Sequence, residues 1–235
     1  MIRSIAILLF AFTIHLFAQS ASPRMVKCRL VGFERAPGHP SHLYARSAVE
    51  GEFIKNRVSL SIDAVPVDYP VPANGALSFL EAGDEESAVV ATARIPKNAK
   101  QLLLFLIPSD DAGRPIYKVL PIEESEKNTP VGGAFICNIS KHNARVTMGE
   151  HKYKLPPGKS ISISQPKVRN EYNMAPLSIE LFGGERWVSL KDSTTRFSKR
   201  DRYFMFTYVK QNLKRPMVKI YQQSVAINTT GAEVR

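Results

Sequence analysis

Leu102-Leu103-Leu104-Phe105-Leu106-Ile107 is continuously apolar, and Tyr203-Phe204-Met205-Phe206-Thr207-Tyr208-Val209 is nearly so. Runs of this length suit central β-strands covered on both faces. Around them the pattern changes to period two. Val58, Leu60 and Ile62 alternate with Ser59, Ser61 and Asp63, and Ile161 and Ile163 sit between Ser160, Ser162 and Ser164. Tyr153 and Leu155 alternate with Lys152 and Lys154, which places the tyrosine and leucine inward and the lysines on a wet face. Turn chemistry separates the runs at Asn74-Gly75, Asp111-Ala112-Gly113, Gly132-Gly133, Pro156-Pro157-Gly158 and Gly183-Gly184. Long runs with helical period are missing. The chain reads as all-β, with about fourteen strands arranged as two tandem immunoglobulin-like β-sandwich domains of seven strands each.

The two apolar runs also align. Setting Leu102 against Tyr203 without a gap puts Phe105 on Phe206, Arg114-Pro115 on Arg215-Pro216 and Lys118 on Lys219. This echo suggests an internal duplication of about 100 residues. The polar stretch Glu123 to Pro130 supplies the boundary, giving a first sandwich over 23–125 and a second over 126–235.

Residues 1–22 read as a secretory signal peptide. Arg3 supplies the positive start, Ile5 to Phe17 the apolar core, and Ala18, Ser20, Ala21 and Ser22 the small residues of a cleavage site. The expected location is therefore secreted or periplasmic, and no later run is long and apolar enough to span a bilayer. The 235 residues, 44% hydrophobic and 23% charged, with 13 Gly and 16 Pro, exclude collagen and wholesale disorder. Two cysteines exclude a dense disulfide scaffold. In an exported chain Cys28 and Cys137 are open to a single disulfide, but both lie in apolar runs where a thiol also packs as a small hydrophobe.

The formal charge of +11 is unevenly placed. Residues 23–125 carry 12 basic and 13 acidic side chains, whereas 126–235 carry 19 and 8, so the positive excess belongs to the second half. Its cations include Lys152, Lys154 and Lys159, and Arg196, Lys199, Arg200 and Arg202. Such a face would meet an anionic glycan, a lipid headgroup or an acidic protein; after export, nucleic acid is the less expected partner. Anion binding is accordingly expected of the second half and not of the first.

The run Gly133-Ala134-Phe135-Ile136-Cys137-Asn138-Ile139-Ser140 reads as a strand ending in an Asn-apolar-Ser turn, followed by Val146 to Met148 and the Leu155-Pro156-Pro157-Gly158 turn. With Leu102 to Pro108 and Tyr117 to Ser125, the chain resembles a family of uncharacterised exported bacterial β-sandwich proteins. The resemblance implies fold and export. It implies no activity and assigns no functional residue.

No spacing amounts to a catalytic, cofactor or metal signature. His39-Pro40-Ser41-His42 has two imidazoles three apart, but its prolines favour a loop. Asp84-Glu85-Glu86 and Asp110-Asp111 read as exposed acidic turns, and Trp187 as a core residue. Asn138-Ile139-Ser140 and Asn228-Thr229-Thr230 fit the glycosylation pattern. The leading expectation is an exported non-enzymatic binding or structural module of the cell envelope whose basic second half contacts an anionic partner. Two alternatives stand beside it: a periplasmic chaperone-like two-domain protein, and a glycan-acting hydrolase using carboxylates such as Glu180 and Glu185.

Overall fold

The structure, a computed structural model, describes residues 25–34, 36, 38–49, 52–61, 69–72, 75–84, 86–109, 115–210 and 213–225. The expected signal peptide lies outside the described residues, as do Asn74, Asp110, Asp111, Arg114 and Asn228. The described residues are all-β, with strands β1 (Met25–Gly32), β2 (His42–Val49), β3 (Glu52–Ser59), β4 (Tyr69–Pro72), β5 (Ala76–Leu80), β6 (Val89–Arg94), β7 (Gln101–Pro108) and β8 (Tyr117–Glu123) in the first half. The second half contributes β9 (Ala134–Asn138), β10 (Ala144–Met148), β11 (His151–Leu155), β12 (Ser160–Ile163), β13 (Met174–Phe182), β14 (Trp187–Arg196), β15 (Asp201–Lys210) and β16 (Arg215–Ser224).

These strands form four sheets. In the first half an inner sheet has the order β4-β1-β7-β8 and an outer sheet the order β3-β2-β5-β6. In the second half the orders are β12-β9-β15-β16 and β11-β10-β13-β14. Strand for strand, the two halves share one order. Each also contains one parallel pair, β1 with β7 and β9 with β15, among antiparallel neighbours. Among the described residues there are eight strands per half, four in each sheet, where the sequence led to seven.

Three apolar clusters stack the sheets. Cys28, Leu30, Leu43, Phe79, Leu102 and Leu104 fill the space between the first inner and outer sheets. Ile136, Val146, Leu177, Ile179, Tyr203 and Met205 do the same in the second half. The third cluster joins Val31, Phe33, Leu103 and Phe105 to Phe204, Phe206 and Tyr221, so the inner sheets pack on each other through their remaining faces. The layer order is outer, inner, inner, outer. This explains the two continuous apolar runs. Leu102, Leu104 and Leu106 point into their own sandwich while Leu103 and Phe105 point at the other half, so these five side chains are all kept from water.

The alignment of the halves holds in part. The parallel ladders pair Leu102 with Cys28 and Tyr203 with Ala134, and Phe105 with Val31 and Phe206 with Cys137, so Phe105 and Phe206 occupy corresponding places. Beyond the following hairpin the gapless register fails. Phe105 faces Leu120, whereas Phe206 faces Lys219, so Leu120 corresponds to Lys219 and Lys118 does not. The second hairpin is two residues shorter. An even shift preserves which face each side chain takes, so the apolar pattern survives although the Lys118 and Lys219 match does not.

Asn138 explains the turn that follows β9. Its amide nitrogen donates to the carbonyls of His142 and Leu155 at 2.7 and 2.8 Å. Its Oδ1 accepts from the Ser140 amide, the Ser140 hydroxyl and the Thr207 hydroxyl. Asn138 is fully buried, so the folded chain uses this side chain as an internal clamp and offers no glycan acceptor there. In the Pro156-Pro157-Gly158 turn the Lys159 amide donates to the Pro156 carbonyl and Gly158 has φ +70°, the left-handed position that a type II turn reserves for glycine.

The cysteines are not joined. Cys28 lies in the core of the first sandwich and Cys137 in the cluster between the inner sheets, on the opposite face of the first inner sheet. A sheet stands between the two sulfurs, so no side-chain movement can bridge them. Burial pushes the Cys137 thiol up to about 11. We predict that a thiol reagent at neutral pH leaves both cysteines unmodified in the native protein and titrates two thiols after denaturation without reductant. Recovery of no thiol under those conditions would contradict this placement.

Candidate functional site

The sequence-selected lysines lie on the β10–β11 hairpin and the turn after it. The two strands are joined by Gly149-Glu150, with Gly149 at φ +58° in the first turn position, as a type II′ hairpin requires. Glu150 fastens this turn to the segment after β12. Its carboxylate accepts from the amides of Lys167 at 2.8 Å and Val168 at 3.3 Å and lies 3.3 Å from His151 Nε2. Donation from Lys167, the largest cause, holds the carboxyl down at about 2.

The outer face of the second outer sheet is set by register. Lys154 stands opposite Arg145 and Arg145 opposite Glu180; one row along, Lys152 stands opposite Thr147 and Thr147 opposite Ser178. Lys152, Lys154 and Lys159 are all exposed and form no ion pair with another described residue. Leu155 is buried as the alternation required, but Tyr153 is not. It is 36% exposed, because β11 is the sheet edge and its ring stacks on His151 instead of entering the core.

The other named cations do not converge on this edge. Arg196 ends β14 at the opposite edge, three strand spacings or about 14 Å across the sheet and four residues further along it than the Lys152 row. Lys199 and Arg200 are exposed in the turn between β14 and β15. Arg202 departs from expectation altogether. It shares the face of Phe204 and Phe206 and points into the contact between the inner sheets, where Nη1 lies 3.6 Å from Glu124 and 3.2 Å from the Thr129 hydroxyl. Arg29 pairs with the same carboxylate, and Gln223, with its amide oxygen turned toward Arg29, accepts from Nη1 at 2.6 Å. Arg202 is thus a structural ion-pair partner, and burial lowers its affinity for a proton against the opposing pull of Glu124.

Trp187 is also displaced from its expected place. It stands opposite Phe182 on the outer face, half-buried, with ring centroids 5.5 Å apart. The Arg145 guanidinium covers the indole at 4.5 Å. Arg145 donates two hydrogen bonds to Glu180, Nη2 to Oε1 at 2.8 Å and Nε to Oε2. That fork holds Glu180 below the usual carboxylate range, as an anion rather than a proton donor. Lys154, Arg145, Glu180, Trp187 and Phe182 therefore form one polar and aromatic strip on the outer face of this sheet. Sequence reasoning selects its lysines and misses Arg145, whose signal is its place opposite Lys154 in a short hairpin.

His39 and His42 diverge. His39 Nδ1 lies 2.9 Å from Glu81, while His42 begins β2 and packs its ring 5.8 Å from Tyr44. Among the described residues no three His, Cys, Asp or Glu side chains are gathered as a metal would need, and no helix is long and apolar enough to cross a membrane. No protein-family model matches the chain, and no curated protein matches it.

The Glu150 clamp gives a pH test for this edge. Because its folded value is depressed, the clamp contributes fully above the ordinary value of 4.5 and is lost as pH falls toward about 2. NMR should place the Glu150 titration near 2, and Glu150→Gln should speed exchange at the Lys167 and Val168 amides. A midpoint at 4 or above would contradict the clamp.

Proposed function

We propose that this chain is an exported, non-enzymatic binding module of the cell envelope and that its second half contacts an anionic partner. One observation carries the reading: Lys152, Lys154 and Lys159 are exposed on an edge strand and its turn, with no carboxylate of the described residues paired to them. Unpaired surface cations cost little when solvated, and they set a local potential that attracts polyanions across a Debye length of about 8–10 Å. Export rests on residues 1–22, which would be removed. The common strand order supports a tandem duplication of one sandwich, immunoglobulin-like in its layering, as the origin of the two halves.

The competing functions draw less support. A chaperone of the expected kind would use basic residues in an open cleft between its domains. Here Phe105, Phe204 and Phe206 fill that space. A glycan hydrolase needs one carboxyl raised to serve as a general acid, and Glu180 is shifted the other way.

The full-length mature chain is expected to bind heparin in a salt-sensitive manner, with Lys152→Glu, Lys154→Glu and Lys159→Glu together weakening retention. Each exposed substitution should change stability by about 0.5 kcal/mol or less, so the melting temperature serves as the control. Retention that ignores salt, or that survives the triple reversal unchanged, would remove this function. N-terminal sequencing of the exported product should begin within Gln19 to Pro23. Recovery of intact Met1 in a membrane fraction would remove the export step.

A further inference from the structure

Five large apolar side chains are exposed among the described residues, and three of them lie on two segments joined by one carboxylate. Val168, 70% exposed, and Tyr172, 64% exposed, belong to the segment 164–173 that connects β12 to β13. Tyr153 stands at the β11 edge with its ring stacked on His151. Glu150 ties the two segments together. It accepts from the Lys167 and Val168 amides on one side and lies against His151 on the other. Pro166 closes the join, so near Gly149 that a Cβ there would come within 2.7 Å of it. The other two exposed apolar residues, Met25 and Leu213, lie elsewhere, at the start of β1 and between β15 and β16.

The backbone of the 164–173 segment is satisfied from within. Asn170 Oδ1 accepts from the Tyr172 and Met174 amides, both at 3.0 Å. The Asn170 amide donates to the Met174 carbonyl, and the Asn173 amide donates back to the Asn170 carbonyl. The Arg169 guanidinium donates to the Pro166 carbonyl. Both ends are tied to Phe197, whose carbonyl accepts from Gln165 Nε2 and whose amide donates to the Asn173 carbonyl. These bonds fix Glu171 and Tyr172 at the tip of one turn and Val168 beside another, so little conformational freedom is left to lose on binding. They also leave the amides of Lys167, Val168, Tyr172 and Asn173 with no need of water.

Cations surround these side chains. Lys167 and Arg169 flank Val168, and Lys199 and Arg200 are exposed in the turn that begins at Phe197. Against them the segment carries one carboxylate, Glu171. Glu150 is occupied by the two amides, and Asp201 is bonded to the hydroxyls of Ser198 and Ser224. We propose that this end of the second half docks on an anionic lipid bilayer, with Val168 and Tyr172 entering the interfacial layer and Lys167, Arg169, Lys199 and Arg200 contacting headgroup phosphates. This rests on the anionic-partner reading above and names the partner. The chemistry favours lipid. Tyrosine settles at the headgroup level, and Lys and Arg reach phosphates from an apolar stem. A backbone that supplies its own hydrogen bonds enters a poorly hydrated layer without stranding donors. A polyanion in water would give Val168 nothing to bury against. A stable protein interface covers about 800 Å² per partner, whereas two turn tips suit a surface that deforms around them.

The test sediments the full mature chain with phosphatidylcholine vesicles that contain or lack phosphatidylglycerol, and measures heparin retention in parallel. Binding is expected only with phosphatidylglycerol, weakening as salt rises. Val168→Ser with Tyr172→Ser should lower vesicle binding about tenfold and leave heparin retention unchanged, because the pair removes apolar area and no charge. Tyr172→Trp supplies a gain of signal that a folding defect cannot give. Its emission should shift to the blue on phosphatidylglycerol vesicles and be quenched by lipid brominated in the acyl chain, while Trp187 of the wild type is not quenched. Unchanged vesicle binding by the serine pair, or heparin retention by a wild type that ignores vesicles, would overturn the lipid assignment and leave the anionic-partner function standing. A wild type that binds neither would remove both. Capture by immobilised polyglutamate with vesicles left unbound would give this surface to an acidic protein and overturn the proposal.

Discussion

The contact between Phe105 and Phe206, ring centroids 4.4 Å apart, sits at the centre of the molecule and sets its layering. Phe204, Tyr221 and Phe33 extend it into a continuous aromatic seam. Aromatic pairs of this kind add about 0.5–1.5 kcal/mol each beyond the area they bury. With both inner sheets committed on both faces, β7 carries no charged residue and β15 carries its charges, Asp201, Arg202 and Lys210, only at its ends, and water is left mainly to the outer sheets. The surface charges are sorted accordingly. A protein of this layering has two faces to present to a partner, and they point in opposite directions.

The rim of the seam is polar and orients the halves. Arg29 and Arg202 share the buried carboxylate of Glu124, while Lys219 donates to the Phe33 carbonyl at 2.6 Å and the Tyr221 hydroxyl to the Gly32 carbonyl at 3.2 Å. Ion pairs of this burial add little net stability against their desolvation, but breaking one side costs about 3–5 kcal/mol by stranding the others. Their effect is therefore on register: they penalise any sliding of one inner sheet over the other. The connection between the halves is held as well. Ser162 Oγ donates to the Asn128 carbonyl, and the Thr129 hydroxyl donates to the Ser125 carbonyl, so the stretch between the halves is an ordered turn.

The all-β class is legible from the alternation, and the double coverage of Leu102–Ile107 and Tyr203–Val209 from their continuity. What covers the second face is not, because periodicity reports that a face is dry and never names its neighbour. The burial of Arg202 is legible too. It alternates in phase with Phe204 and Phe206, so the strand that buries those rings must bury its stem. A count of charge along the chain does not say which face of a sheet a cation takes; only the strand register does. Ala45-Arg46 and Ala144-Arg145 each stand nine residues before a lysine, Lys55 and Lys154, but that each arginine faces its lysine emerges only from the hairpin register. A lone tryptophan in a β-sandwich reads as core, and the place of Trp187 opposite Phe182 emerges only from the strand pairing.

The central claim is that the aromatic seam makes the two halves one cooperative body. Trp187, the single tryptophan, reports on the second half by fluorescence, and labelling of Cys28 by a thiol reagent, read apart from Cys137 by peptide mass spectrometry, reports on the first. Followed through denaturant unfolding, the two probes should share one midpoint, and Phe206→Ala should move both together by about 3–5 kcal/mol. Two separate midpoints in the wild type, with Phe206→Ala shifting only the Trp187 transition, would show the halves to be independent and contradict the account.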